Sequence, residues 1–280
     1  MAIKIGKYDN FNLILLRMTR IIFILACSSF FMVSCKKYGC TDSQAQNYNS
    51  NANEDDGSCS YSNESSLAID IIPKYGDDTL YLDSVYTTTE GYYVKFTEFK
   101  FYMTKVANGS NLFCEAALFD FNTPQNTSIN TTGDVLNFTS LSGIIGVDSL
   151  NNHNDPSAFE NDSPLNISNA GLMHWGWNPG YIFVNIIGKV DTLAIGDSFD
   201  HNFIFHIGTD QFKRNFEFTD LVWIPSEQGY EIQFDIDLKT FLNNNGSTID
   251  LKNEFFTHSG SSDLELTEKL ANNFMNALKP

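Results

Sequence analysis

The sequence predicts an all-β protein, a β-sandwich with a short C-terminal helix. Three observations lead there. Residues 230–238 alternate strictly: Ile232, Phe234, Ile236 and Leu238 fall on one face, and Glu231, Gln233, Asp235 and Asp237 on the other. That is the period of a half-buried strand. Similar apolar runs recur along the chain between turn-forming clusters. A helical stripe appears only at the end, where Leu266, Leu270, Phe274 and Leu278 recur every four residues.

Taken in order, residues 67–72 form the first expected strand, rich in β-branched apolar side chains. Residues 92–106 make a long one, with Phe99, Phe101 and Met103 alternating on a common face. Residues 112–121, 181–190, 203–207 and 221–224 follow, then residues 230–238. Asn178-Pro179-Gly180 is a turn, since proline fixes one central φ and glycine tolerates the positive φ of a type II turn. Ser261, Ser262 and Asp263 precede the helical stripe as candidate caps. The chain has no internal repeat, no glycine-rich phosphate loop and no GxSxG motif.

The 280 residues carry a net charge of −17 and include 24 phenylalanines, so a sizeable core is available. An acidic surface of this kind excludes nucleic acid and anionic lipid headgroups as partners and suits cationic ones, metal ions included. Asparagine-rich stretches such as Asn243-Asn244-Asn245 read as loops.

Residues 21–33 are apolar, and Arg17 and Arg20 precede them. This is the charged and apolar pattern of an export signal, and it is shorter than the roughly 20 residues a membrane span needs. A start at Met18 would give a more ordinary signal than Met1. The run closes on Met32-Val33-Ser34-Cys35, which resembles the lipobox of bacterial lipoproteins, whose cysteine becomes the lipidated first residue. Cys27, behind Ile24-Leu25-Ala26, is a rival, but cleavage there would leave Phe30, Phe31, Met32 and Val33 exposed. The expected organisation is a signal peptide over 1–34, a lipidated N-terminus with a small loop module over 35–64, and a sandwich domain over 65–280. The leader carries Lys4, Lys7, Arg17 and Arg20 against Asp9, so the remaining chain is more acidic still. The expected location is the cell envelope, on the periplasmic or cell-surface face of the outer membrane.

Residues 39–61 read GCTDSQAQNYNSNANEDDGSCSY and contain almost no large apolar side chain. In an oxidising compartment Cys40 and Cys59 are expected to pair, which would contribute about 3 kcal/mol by restricting the unfolded chain. The stretch resembles a short module, GCTDxxAxNYNxxAxxDDGSC, common in secreted proteins of the Bacteroidota. Asp42, Asn47, Asn49, Asp55 and Asp56 offer oxygen donors, so the expectation is either a calcium site without EF-hand spacing or a polar loop closed by the disulfide alone. Cys114 lies in an apolar stretch and reads as a buried, inert thiol rather than a metal ligand.

The five histidines are His153, His174, His201, His206 and His258, and no two show HExxH spacing. A strand over residues 201–207 would put His206 on the face of Ile204 and His201 with Phe203 and Phe205. In an extended segment Trp175 and Trp177 point one way and His174 the other. Read alone, the tryptophans are core side chains and each histidine a hydrogen-bonded structural residue.

GLMHWGWNPGYIFV, residues 171–184, is similar to the tryptophan-rich signature of the MbnP-like family, copper-binding proteins associated with methanobactin operons. The resemblance extends through YYVKF at 92–96, GVD at 146–148, Asn152-His153, Pro164-Leu165-Asn166 and FIFHIG at 203–208. It ends more weakly at His258 and LANNF at 270–274. It implies copper binding outside the cytoplasm by histidines and by a tryptophan that a partner dihaem peroxidase of the MauG-like type oxidises to kynurenine. Trp175 and Trp177 are the candidates for oxidation. His206 with His153 or His258 are the expected ligands, with His174 in reserve. An indole nitrogen cannot coordinate well because its lone pair belongs to the ring, whereas kynurenine exposes an aromatic amine, and imidazole suits copper. An acidic residue often found near the end of the family's GYxFxxxEG pattern is replaced here by Ile187.

The functional expectation is a non-enzymatic copper-binding lipoprotein for storage or delivery. The competing reading is a metal-free adhesion or scaffold lipoprotein. Cys35→Ala is expected to release the protein from the membrane fraction on cell fractionation, and unchanged attachment would contradict lipidation there.

Overall fold

The computed structural model describes residues 35–280, apart from 124–126, 177–178, 197 and 200. The leader therefore lies outside the described residues. The chain divides into two compact units, one ending at Ser62 and one spanning Asn63–Pro280.

In the first unit a disulfide joins Cys40 and Cys59. Cys40 and Ala45 are its buried apolar residues, too few to hold it together by a core. Polar bonds and the cross-link do so instead. Asn47 donates to the Ser58 carbonyl at 2.6 Å and accepts the Ser60 amide at 2.8 Å. Asp42 accepts the Gln44 amide at 2.9 Å and the Tyr61 hydroxyl at 2.6 Å. Asp55 and Asp56 cap the turn at Gly57 and Ser58, and Asn49 accepts the Asn51 amide. Each side chain considered for calcium thus has at least one oxygen engaged in a hydrogen bond within the unit. Among the described residues no three His, Cys, Asp or Glu side chains gather into a metal-holding group.

The second unit is the all-β sandwich. Its main strands are β1 (Glu64–Tyr75), β2 (Tyr93–Asn108), β3 (Asn111–Asp120), β4 (Ser128–Asp134), β5 (Leu141–Ile145), β6 (Ile182–Asp191), β7 (His201–Gly208), β8 (Arg214–Phe218) and β9 (Gly229–Asp237). One sheet places β1 between β4 and β9. The β1–β4 pair is antiparallel, and the β1–β9 pair is parallel, with Ser66 opposite Gly229 and Lys74 opposite Asp237. The other runs β8-β5-β2-β6-β7 and ends on a short strand, Phe256–Thr257, parallel to β7; β3 adds to β2. Leu67, Ile69 and Ile71 of the first sheet meet Phe96, Phe99, Phe101, Phe203 and Phe205 of the second in one buried cluster.

Strand β2 changes parity twice. Val94 and Phe96 point inward, then Phe99, Phe101 and Met103, then Val106. Alternation can flip only where an extra residue is inserted. The register shifts at both flips, between Phe96 and Glu98 and again between Thr104 and Ala107. Lys105, at the second, has φ +55.

The helical stripe forms helix α4, Leu264–Ala277, after short helices α1 (Ser149–Asn152), α2 (Ile167–Ala170) and α3 (Leu238–Leu242). Leu270 and Phe274 of α4 are buried, while Leu278 has already passed into a two-residue strand, Leu278–Lys279. Asp263 occupies the N-cap position, but its side chain makes no cap bond and turns to another partner. Residues 221–223 are not strand, and only Ile224–Ser226 pairs with β9.

Tyr102 and Thr104 face outward from β2, yet both are fully buried. The connection from Gly146 to Tyr181 covers them. A second apolar cluster forms there from Tyr102, Val147, Leu165, Ala170, Met173, Tyr181, Ile182 and Phe183, with Trp175 packed against it.

Phe101 is fully buried and its ring meets Phe99, Phe119 and Phe274. Phe101→Ala should cost about 3–5 kcal/mol through lost burial and the cavity left behind. Urea unfolding measures this, and a loss under about 1 kcal/mol would contradict the packing described.

A histidine pair beneath Trp175

Strand β7 alternates as its sequence predicts: Phe203, Phe205 and Ile207 enter the core, while Ile204 and His206 lie on the other face. The short strand Phe256–Thr257 runs parallel to β7, with Phe256 opposite Ile204 and Thr257 opposite Phe205. His258 therefore follows directly where His206 continues. Their ring centroids are 4.5 Å apart, tilted by 44°.

The outer connection brings Trp175 onto this pair. Its indole lies 6.1 Å from His258, with the ring planes nearly parallel at 19°, and 6.2 Å from His206. Phe256 stacks on His258 at 4.7 Å. Trp175 stays in place because its amide donates to the Gly180 carbonyl at 2.9 Å and the Gly180 amide returns to Gly176 at 3.0 Å. The benzene edge of the indole also lies close to Gly208: a Cβ there would come within 2.5 Å of it. The glycine closing the FIFHIG strand thus leaves room for the ring.

His206 is largely buried, and its Nδ1 is buried with no hydrogen-bond partner. Burial, and secondarily the neighbouring His258, push its pKa down to about 4. The ring is therefore neutral near pH 7 and carries a free lone pair. His258 is exposed, and its backbone amide donates to Asp263 at 2.9 Å. This is where the Asp263 carboxylate goes instead of capping α4.

The other candidates are placed differently. His174 packs edge-on against Tyr181 at 4.7 Å, accepts the Gly176 amide on Nδ1 at 3.1 Å, and leaves Nε2 buried and unpartnered. Burial also lowers its pKa. His153 faces the Asp210 carboxylate, Nε2 to Oδ1, at 3.4 Å. Asn152, its neighbour, donates to the same carboxylate at 2.9 Å and accepts the Tyr181 amide at 2.9 Å, which fastens α1 to the Trp175 loop. His201 is exposed at the start of β7. Trp177 lies outside the described residues. Cys114 is half-buried and free, with its thiol pushed up to about 12 by burial, as an inert thiol should be. Cys35 is free and exposed.

Other residues complete the site: Ser259, Asp263 and Asn152 hold it by hydrogen bonds, and Gly208 by close approach. Asn152 and Gly208 fall in motifs quoted above, whereas nothing in its spacing marks Ser259.

Fold and site together define an all-β sandwich that carries a histidine pair and a tryptophan outside one of its sheets. The MbnP family model matches residues 64–262, and the chain belongs to that family. Among solved structures, MbnP from Methylosinus trichosporium is similar at 15% identity, with a TM-score of 0.46 over 67% of this chain and 79% of that one. No curated protein matches the chain.

Because His206 has a lowered pKa in the folded protein, its protonation favours the unfolded chain. Stability of the metal-free protein should be highest above about pH 6.5 and fall as pH drops toward 4. His206→Gln should flatten urea-unfolding stability over that window. An unchanged slope would show that His206 is not held neutral by its surroundings.

Proposed function

We propose that the protein is an exported, lipid-anchored copper-binding protein whose site is built from His206, His258 and residue 175. Copper is here cargo to be stored or delivered, and no catalytic role is assigned. The single observation that supports this most is the approach of the two imidazoles, 4.5 Å between centroids, beneath one indole. Rings so close can direct nitrogens at one ion with bonds of about 2 Å. The orphaned Nδ1 of His206 fits the same reading, because buried polar atoms are rarely left without a partner in native proteins.

Membership of the MbnP family supports a copper-related role. The residues present fit copper in part. Two imidazoles are suitable donors for it. A third donor is not supplied by another His, Cys, Asp or Glu among the described residues. Trp175 lies where a third donor would be needed, but an indole nitrogen is a poor ligand. Oxidation to kynurenine, by a peroxide or dioxygen as external oxidant and with water, would cleave the C2–C3 bond of the pyrrole ring, release C2 as formate for a net gain of one oxygen and loss of one carbon, and expose an aromatic amine beside both histidines. A dihaem peroxidase of the MauG-like type is the partner proposed for that step.

His206 would hold copper from the buried side, already neutral and desolvated. His258, exposed and stacked between Phe256 and Trp175, is the ring through which an ion would arrive and leave. The acidic surface favours approach of a cation. His153 is engaged by Asp210 and serves the fold of the covering connection.

Copper content of protein purified from its native host tests this. His206→Ala and His258→Ala should each lose most of the bound copper, and His153→Ala should retain it. Mass spectrometry of the peptide containing Trp175 should show the kynurenine mass change. Equal copper in all four proteins would refute the site, and unmodified tryptophan in copper-loaded protein would refute the third ligand.

A further inference from the structure

The loop carrying His258 leaves β7 in an unusual way. The parallel register that pairs Phe256 with Ile204 and Thr257 with Phe205 starts with the Ile204 amide donating to the Phe255 carbonyl at 2.8 Å. Continued without a break, that ladder would have the Ser259 amide donate to the His206 carbonyl and the Ser259 carbonyl accept the Gly208 amide. The backbone does neither. Ser259 has φ +57, in the left-handed region, and its amide turns back to the Thr257 hydroxyl at 2.9 Å.

The Ser259 side chain takes both roles. Its hydroxyl donates to the His206 carbonyl at 3.0 Å and accepts the Gly208 amide at 2.8 Å. One oxygen, acting as donor and acceptor, replaces a whole strand residue. The ladder groups on both sides of His206 are satisfied, while the chain is free to turn. That turn leaves His258 exposed and set against the His206 ring. Ser259 is itself 9% exposed, so water is poorly placed to substitute for its hydroxyl. Below it, the Thr257 hydroxyl meets the Thr267 hydroxyl at 2.6 Å, which ties the loop to α4.

We propose that Ser259 is the positioning residue of the histidine pair: its hydroxyl fixes the loop of His258 against the strand of His206. Its consequence for copper rests on the reading given above, whereas the positioning itself does not.

The metal-free protein provides the first readout. In Ser259→Gly the positive φ is easily kept, so the turn can form while both hydroxyl bonds are lost. The nuclear Overhauser effect between the His206 and His258 imidazole protons should disappear. Exchange of the Gly208 amide should accelerate by about tenfold, the factor expected for one lost hydrogen bond. The melting temperature should fall by several degrees, since two buried backbone groups lose their partner, but the protein should still fold because no core side chain changes. Ser259→Ala should behave likewise, and Ser259→Thr, which keeps the hydroxyl, should retain the imidazole contact. Persistence of that contact and of Gly208 protection in both the glycine and alanine variants would overturn the proposal. Copper affinity is the second readout and should fall about tenfold in both variants. If native-host protein binds no copper but the imidazole contact still depends on the hydroxyl, positioning stands and the copper reading fails. If copper binds equally tightly to wild type and both variants, the positioning role fails and the copper reading survives.

Discussion

Around Tyr102 and Thr104, strand Tyr93–Asn108 is buried on both faces, and the site depends on that constraint. Its inner face presents phenylalanines to the sandwich core. Its outer face would normally meet water, but it carries Tyr102 and Thr104, both fully buried. Two hydroxyls placed there must find acceptors, because an unpaired buried polar group costs about 1–3 kcal/mol. Thr104 donates to the Gly146 carbonyl at 3.0 Å, and Tyr102 to the Pro164 carbonyl at 3.2 Å. Tyr181, edge-on to Tyr102, donates to the Leu165 carbonyl. The covering connection is therefore fixed to the sheet at several points, and it delivers Trp175 to the end of β7.

The site has a different economy of polar groups from its surroundings. Around it, single side chains satisfy several partners at once, as Asn152 does for Tyr181 and Asp210. At its centre, His206 Nδ1 is left buried without a partner. Held neutral by burial, His206 keeps a ring lone pair available beside the tryptophan. Imidazole is the side chain best suited to that state, since neutral nitrogen tolerates burial where an ammonium or carboxylate would not.

The N-terminal unit is held by other means. It buries little, and its disulfide and turn-forming carboxylates do what a core does elsewhere. Its cohesion thus depends on an oxidising environment, while the sandwich depends on apolar burial.

Much of this was legible in the residues themselves. Alternation in 230–238 and in 203–207 marked strands and their buried faces, because a two-residue period is imposed locally by the backbone. The four-residue stripe marked the C-terminal helix for the same reason. The bulges of Tyr93–Asn108 were also present as parity changes between Phe96 and Phe99 and between Met103 and Val106. Strand Ser128–Asp134 was not legible, since its polar sequence is a strand only because Glu64–Asp70 pairs with it. The parallel pairing of β1 with β9 joins segments more than 150 residues apart, and no local pattern encodes a distant partner. His206, His258 and Trp175 could be named from sequence as candidates, but their approach could not. It is created where a strand, a parallel loop and an outer connection converge, and Ser259 gains its role only from the carbonyl and amide of a strand some fifty residues earlier. Sequence sets periodicity and chemistry residue by residue; which residues meet is decided by the packing of both faces of one long strand.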